Sequence, residues 1–224
     1  MKVACRIAVA TFILAVAAPF AGAQMMFHTP DMRGVWDPVV GSGGSYEITQ
    51  TGNADKREME IFVVGKESVE GKDGYWLEFV MPRAKGGGDL AFKSLTVLDG
   101  TNAAVYRAVI QMPGMAQPME MTKQMLASQQ SKATDIRTTG QDVGKETITT
   151  PAGTFECEHW RSDDGTDAWI SPKAPPYGLI KSVSKDGHTI VLTRVITDAK
   201  DHITGTPVQF DPMQMMQQGK PPQH

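Results

Sequence analysis

The chain has 224 residues, 22 basic against 25 acidic side chains, a net charge of −3 and a hydrophobic fraction of 41%. This balance leaves no basic patch, which excludes nucleic acid and anionic lipid surfaces as electrostatic partners. With only Cys5 and Cys157 present, and Cys5 inside a targeting segment, a disulfide framework is excluded as well.

Residues 1–23 read as a signal peptide. Lys2 and Arg6 give a positive start, an apolar run covers 7–18, and Ala21-Gly22-Ala23 supplies small residues for cleavage after Ala23. The run is too short for a comfortable membrane span. Loss of Lys2 and Arg6 takes the net charge from −3 to about −5. The remainder suits one domain with a core of its own, periplasmic or secreted. Cys157, then the sole cysteine, reads as a small buried hydrophobe.

Residues 24–44 form a loop segment with Pro30 and Pro38, and the domain proper is expected over 45–197. Alternating or β-prone runs predict strands at 45–50, 57–66, 75–81, 90–98 and 103–112, with Lys72-Asp73-Gly74 as a hairpin turn. Gly86-Gly87-Gly88 lacks the Lys-Ser/Thr and the following helix of a phosphate-binding loop, so it reads as a connection. Residues 113–132 are rich in Met and Gln. Pro118 suits the first turn of a helix running to about Gln130, with Met121, Met125 and Leu126 on one stripe. Residues 143–195 alternate β-prone runs with Pro-Ala-Gly, Asp-Gly and Pro-Pro punctuation, the signature of antiparallel strands. Residues 198–224 form a polar tail, expected to be disordered. An internal echo supports one hairpin built twice: Val64-Gly65-Lys66-Glu67-Ser68-Val69 matches Val143-Gly144-Lys145-Glu146-Thr147-Ile148.

Candidate chemistry is sparse. Cys157 and His159 share a strand face but lack the further ligands a metal needs. Asp163, Asp164 and Asp167 surround Gly165 and read as a turn rather than a calcium loop. No G-x-S-x-G, H-E-x-x-H or nucleotide fingerprint occurs, so no catalytic residue and no cofactor is assigned. Methionine is the compositional oddity, with 14 residues. Thioethers line pockets for variable apolar ligands. They also suit Cu(I), for which Met115, Met119, Met121, Met125, Met213, Met215 and Met216 are the candidate ligands.

The stretch V-G-K-E-T-I-T-T-P-A-G-T-F-E-C-E-H-W, followed by D-A-W-I-S and Y-G-L-I-K, resembles a family of exported bacterial proteins of unknown function. I-F-V-V-G-K-E-S-V-E-G-K-D-G-Y-W-L-E and Q-P-M-E-M extend the resemblance over roughly residues 44–196. That family is similar to the LolA/LolB-like lipoprotein carriers of the periplasm. The resemblance implies a mainly β (α+β) fold: a strongly curved antiparallel sheet, an open half-barrel, with one or two short helices across its concave face. In the carriers the concavity holds acyl chains, but their functional residues find no matching positions here. The expected function is non-enzymatic binding of an apolar ligand, a lipid or an acylated partner such as a lipoprotein. Alternation proposes Trp76, Phe79, Phe92, Met112, Met121, Met125, Phe155, Cys157 and Trp169 as lining residues. Two alternatives stand beside it: Cu(I) binding through the methionines, and an envelope interaction module that docks by a sheet edge or the Met-rich helix.

Overall fold

The computed structural model describes residues 34–82, 88–99, 102–127 and 135–210. Among these, twelve strands form one unclosed, strongly curved sheet. They are β1 (Gly43–Gln50), β2 (Asn53–Val69), β3 (Lys72–Met81), β4 (Leu90–Asp99), β5 (Asn102–Gln111), β6 (Met119–Glu120), β7 (Gln141–Thr150), β8 (Gly153–Arg161), β9 (Asp167–Ile170), β10 (Leu179–Val183), β11 (His188–Ile196) and β12 (Val208–Gln209). Two short helices, α1 (Lys123–Ala127) and α2 (Ile136–Thr139), complete the set. No helix among the described residues is long and apolar enough to cross a membrane. The fold class therefore agrees with the sequence expectation of a mainly β half-barrel with short helices.

The strand order is β12-β6-β5-β4-β3-β2-β1-β11-β10-β9-β8-β7. Two chain-local meanders, β1 to β6 and β7 to β11, meet where β1 pairs with β11. Alternation sorts the strand residues as expected for a sheet. Met59, Ile61 and Val63 of β2 join Tyr46 of β1, Leu77 and Phe79 of β3 and Leu192 of β11 in the main core. Phe155 and Cys157 of β8, Ala168 and Ile170 of β9 and Leu179 and Ile180 of β10 belong to the same core. Ile136 of α2 and Ala174 of the Pro-rich loop pack against these strands, and Val35 donates its backbone N–H to Tyr177 O at 2.7 Å.

The β2–β3 turn differs from the sequence expectation. The register pairs Val69 with Lys72, so Glu70 and Gly71 make the turn and Lys72-Asp73-Gly74 lies inside β3. Both turn residues have positive φ, 52° at Glu70 and 79° at Gly71. That is the mirror-image turn whose twist matches a hairpin.

The helix expected from Pro118 is also shorter than its stripe suggests. Val208 N–H donates to Pro118 O and Met121 N–H to Ala108 O, so ladder bonds hold the backbone of this stretch extended through β6. Only at Thr122 does a helix start. The Thr122 hydroxyl accepts from Met125 N–H at 3.4 Å and its carbonyl from Leu126 N–H at 3.1 Å, as an N-cap does.

Residues 198–210 run back across the face opposite the main core. Ala199 N–H donates to Gly41 O, and Ile203 is buried with Phe62, Val80, Ala91 and Val109. The chain then pairs β12 in parallel with β6. Residues 1–33 and 211–224, which include the expected signal peptide and the end of the expected tail, lie outside the described residues.

Candidate functional site

Cross-strand register builds a row of apolar side chains on the core face. Ile61 of β2 faces Phe79 of β3, Phe79 faces Phe92 of β4, Phe92 faces Ile110 of β5, and Ile110 faces Met119 of β6. The Phe79 and Phe92 rings lie 6.5 Å apart at a 43° tilt. One step along, Ala108 of β5 is fully buried, and its small side chain gives α1 room to approach. Met121 and Leu126 bury themselves on Ala108, with Phe92, Val105 and Met125 packed around them. Two polar groups stand on the same strand face. Ser94 and Thr96, both buried, share a hydrogen bond of 3.2 Å between their hydroxyls. The result is an aromatic and aliphatic strip, covered at one end by a five-residue helix that carries methionine. Such a surface has the chemistry of an apolar ligand site: mostly carbon, with few polar groups and an adaptable wall.

The structure gathers Phe79, Phe92, Met121 and Met125 at this strip. Phe155 and Cys157 are buried in the main core that also contains Phe79. Burial pushes the Cys157 thiol up to about 11, so it is protonated and unreactive. Trp169 packs on that core, but its ring stacks on His159 at 4.4 Å. Trp76, an odd number of residues from Phe79, points to the other face. There Lys93 and Arg107 approach its ring at 5.5 and 5.2 Å, and its indole donates to Glu67 at 3.1 Å. Met112 is half-buried in the turn after β5, where its carbonyl accepts from Met115 N–H. Of the candidate copper ligands, Met119 and Met121 are buried, Met115 and Met125 are half-buried, and Met213, Met215 and Met216 lie outside the described residues. Sequence reading missed Ala108, Ile110, Ser94 and Thr96. Period-two counting from Phe92 along β4 finds Ser94 and Thr96, whereas it is the β4–β5 register that sets Ile110 opposite Phe92 and Ala108 opposite Ser94.

A second cluster lies on β7 to β9. His159 is buried, with Nδ1 2.8 Å from Glu146 and Nε2 2.9 Å from Asp167. Trp169 covers one ring face and donates its indole N–H to Glu146 at 2.9 Å, while Arg161 donates to Asp167 at 2.8 Å. Both ring nitrogens are occupied by neighbours, so the geometry fits a structural tie better than proton transfer to a substrate. Among the described residues, no group of three or more His, Cys, Asp or Glu is arranged to hold a metal ion. The turn reading of the aspartates divides. Asp164 accepts from Thr166 N–H at 3.0 Å within the turn, whereas Asp167 belongs to β9 and the histidine cluster.

A third cluster fixes the returning C-terminal segment. Glu78 of β3 is fully buried and accepts from the backbone N–H of His202 at 3.0 Å and of Ile203 at 3.4 Å. The His202 Nδ1 lies 2.6 Å from the same carboxylate, and Lys93 pairs with Asp201 beside it.

No protein-family model matches the chain, and no curated protein matches it. Solved structures do. A candidate lipoprotein from Parabacteroides distasonis is 14% identical, with 73% of this chain and 99% of that one covered and a TM-score of 0.37. A candidate exported protein with a YmcC-like fold from Bacteroides fragilis has the same identity and coverage at a TM-score of 0.38. A DUF1329 family protein from Desulfovibrio piger is 10% identical over 70% of this chain and 85% of that one, with a TM-score of 0.33.

Proposed function

We propose that this is an exported, non-enzymatic protein that binds an apolar ligand, a lipid or the acyl chain of a partner, on the Phe79–Phe92 strip beneath α1. The carrying observation is the packing of Met121, Met125 and Leu126 over Phe92 and Ala108. A five-residue helix held by such contacts is a soft wall, since a helix this short has little stability of its own. Burial of hydrocarbon contributes about 25 cal/mol per Å², so a single acyl chain suffices for useful affinity. The signal-peptide pattern of residues 1–23 supports export, and the sheet with short helices supports a carrier-like use of the core face.

Titration with an apolar fluorophore such as N-phenyl-1-naphthylamine, beside native mass spectrometry of gently purified protein, tests the reading. Saturable binding is expected. Phe92→Ala is expected to weaken it by about one to two orders of magnitude, because one buried aromatic contributes ~1.5–3 kcal/mol. Absence of saturable binding and of any co-purifying lipid sinks the proposal.

A further inference from the structure

Tyr46 on β1 is 1% exposed, and its hydroxyl is a buried side-chain polar atom without a hydrogen-bond partner among the described residues. Leaving such a group unpaired lowers stability, and phenylalanine would fill nearly the same space without that loss. The sequence nevertheless keeps the hydroxyl, and Gly44 fixes where it stands. A Cβ on Gly44 would meet Tyr46 Cε2 at 3.0 Å, the Tyr46 hydroxyl oxygen at 3.1 Å and Leu192 Cδ1 at 2.8 Å. The ring therefore lies back over the bare backbone of Gly44, with its oxygen above that residue. Gly44 is the register partner of Ile61, the first member of the Ile61, Phe79, Phe92 row. The unpaired hydroxyl thus stands at the inner end of the apolar strip. Burial pushes its phenol above the ordinary range, so it is a hydrogen-bond donor at physiological pH. The other buried hydroxyls on this part of the face, Ser94 and Thr96, are bonded to each other.

We infer that Tyr46 is the polar anchor of the site, donating its O–H to the carbonyl or carboxylate oxygen of an acyl group whose chain lies along the row toward Phe92 and Met125. The inference rests on the apolar-ligand reading above and adds an anchor and an orientation: the acyl chain is held head-inward by one neutral donor. From β1 to β4 is three strand spacings, roughly 14 Å, the scale of a medium acyl chain. A free fatty acid and an acyl ester offer the same acceptor.

Tyr46→Phe in the full chain decides between these sources and tests the anchor itself. Displacement of N-phenyl-1-naphthylamine by dodecanoic acid, methyl dodecanoate and dodecane is measured on both proteins, with their ligand-free melting temperatures. The variant is expected to melt a few degrees higher. It is expected to bind an acyl competitor about tenfold more weakly and dodecane unchanged. Loss for the acid alone assigns a free acid, and equal loss for acid and ester assigns an acyl carbonyl. Equal affinity of the two proteins for all three competitors overturns the anchor and leaves apolar binding standing. So does an equal loss for dodecane, which would reduce Tyr46 to packing, or a lower melting temperature in the variant. A wild-type protein that binds neither the fluorophore nor any competitor overturns both readings.

Discussion

His159 and Glu78 show how differently one sheet treats its buried ionisable groups. Around His159, burial pushes the Asp167 carboxyl up, but hydrogen bonds from Arg161 and His159 outweigh it and hold Asp167 below its ordinary value. Trp169 first, then His159, does the same for Glu146. A carboxylate depressed in the fold contributes stability that is fully present above its unfolded value of about 4 and is lost as the pH falls below it. Glu78 has the opposite sign. Burial first, then its bond with Asp201, raises its pKa, and the bonds from His202 only partly oppose this. Its contribution is present below the unfolded value and fades as the pH rises. Acidification from pH 5 to pH 3 is therefore expected to loosen β7 to β9 before β3. Hydrogen exchange, corrected for intrinsic rates, should show protection falling first in Gly153–Arg161, and Asp167→Asn should flatten that response. Parallel loss of protection in β3 and β8 would contradict the assignment.

At the scale of elements, the two echo segments run in β2 and β7, each with its glycine beside a register shift: Gly65 opposite Trp76, and Gly144 opposite His159. Each also presents a glutamate to an indole, Glu67 to Trp76 and Glu146 to Trp169. The likeness ends at the turns, which are Glu70-Gly71 in one hairpin and Pro151-Ala152 in the other. Gly71→Ala is expected to cost about 1 kcal/mol by urea unfolding, because φ there is 79°. An unchanged midpoint would mean that this turn does not set the hairpin. The same elements show what the sequence made legible. The sequence pattern identified β2 by its alternation, and β3, β4 and β5 as β-prone runs bounded by turn residues. It misjudged the Met-rich helix, because the hydrogen bonds that keep residues 118–121 extended come from Ala108 and Val208, far away in sequence. Phe79 and Phe92 could be proposed from pattern. Their companion Ala108 could not, for its role is to be small beneath α1 and no periodicity marks that. Trp76 was grouped with Phe79 although their separation is odd, and the cations flanking its ring mark the difference.

For the molecule as a whole, the returning segment 198–210 is a strap across the second face of the sheet. It joins Gly41, Glu78, Pro118 and Glu120, residues of both flanks and of the middle of the first meander. Ile203 buries the apolar strip of Phe62, Val80, Ala91 and Val109 beneath it. Glu78→Ala leaves the His202 and Ile203 N–H groups without their acceptor. It is expected to cost about 3 kcal/mol in denaturant unfolding and to expose that strip to a dye such as anilinonaphthalene sulfonate. A loss below about 0.5 kcal/mol, the usual range for surface substitutions, would show that the strap is held elsewhere.

The place of β1 has a consequence for the order of assembly. It is the first strand among the described residues, yet its partners are β2 beside it and β11 far along the chain, where Gly43 meets Ile196 and Gln50 meets His188. Every other neighbouring pair from β1 to β6 and from β7 to β11 is consecutive along the chain. A chain emerging N-terminus first can zip each meander as it appears, but β1 must wait with one edge open until residue 196 has arrived. That long-range closure places the protein among slow, topology-limited folders. Until it closes, the Gly44 backbone and the Tyr46 ring above it border an unpaired edge, so the proposed anchor is completed only when the two halves of the sheet join.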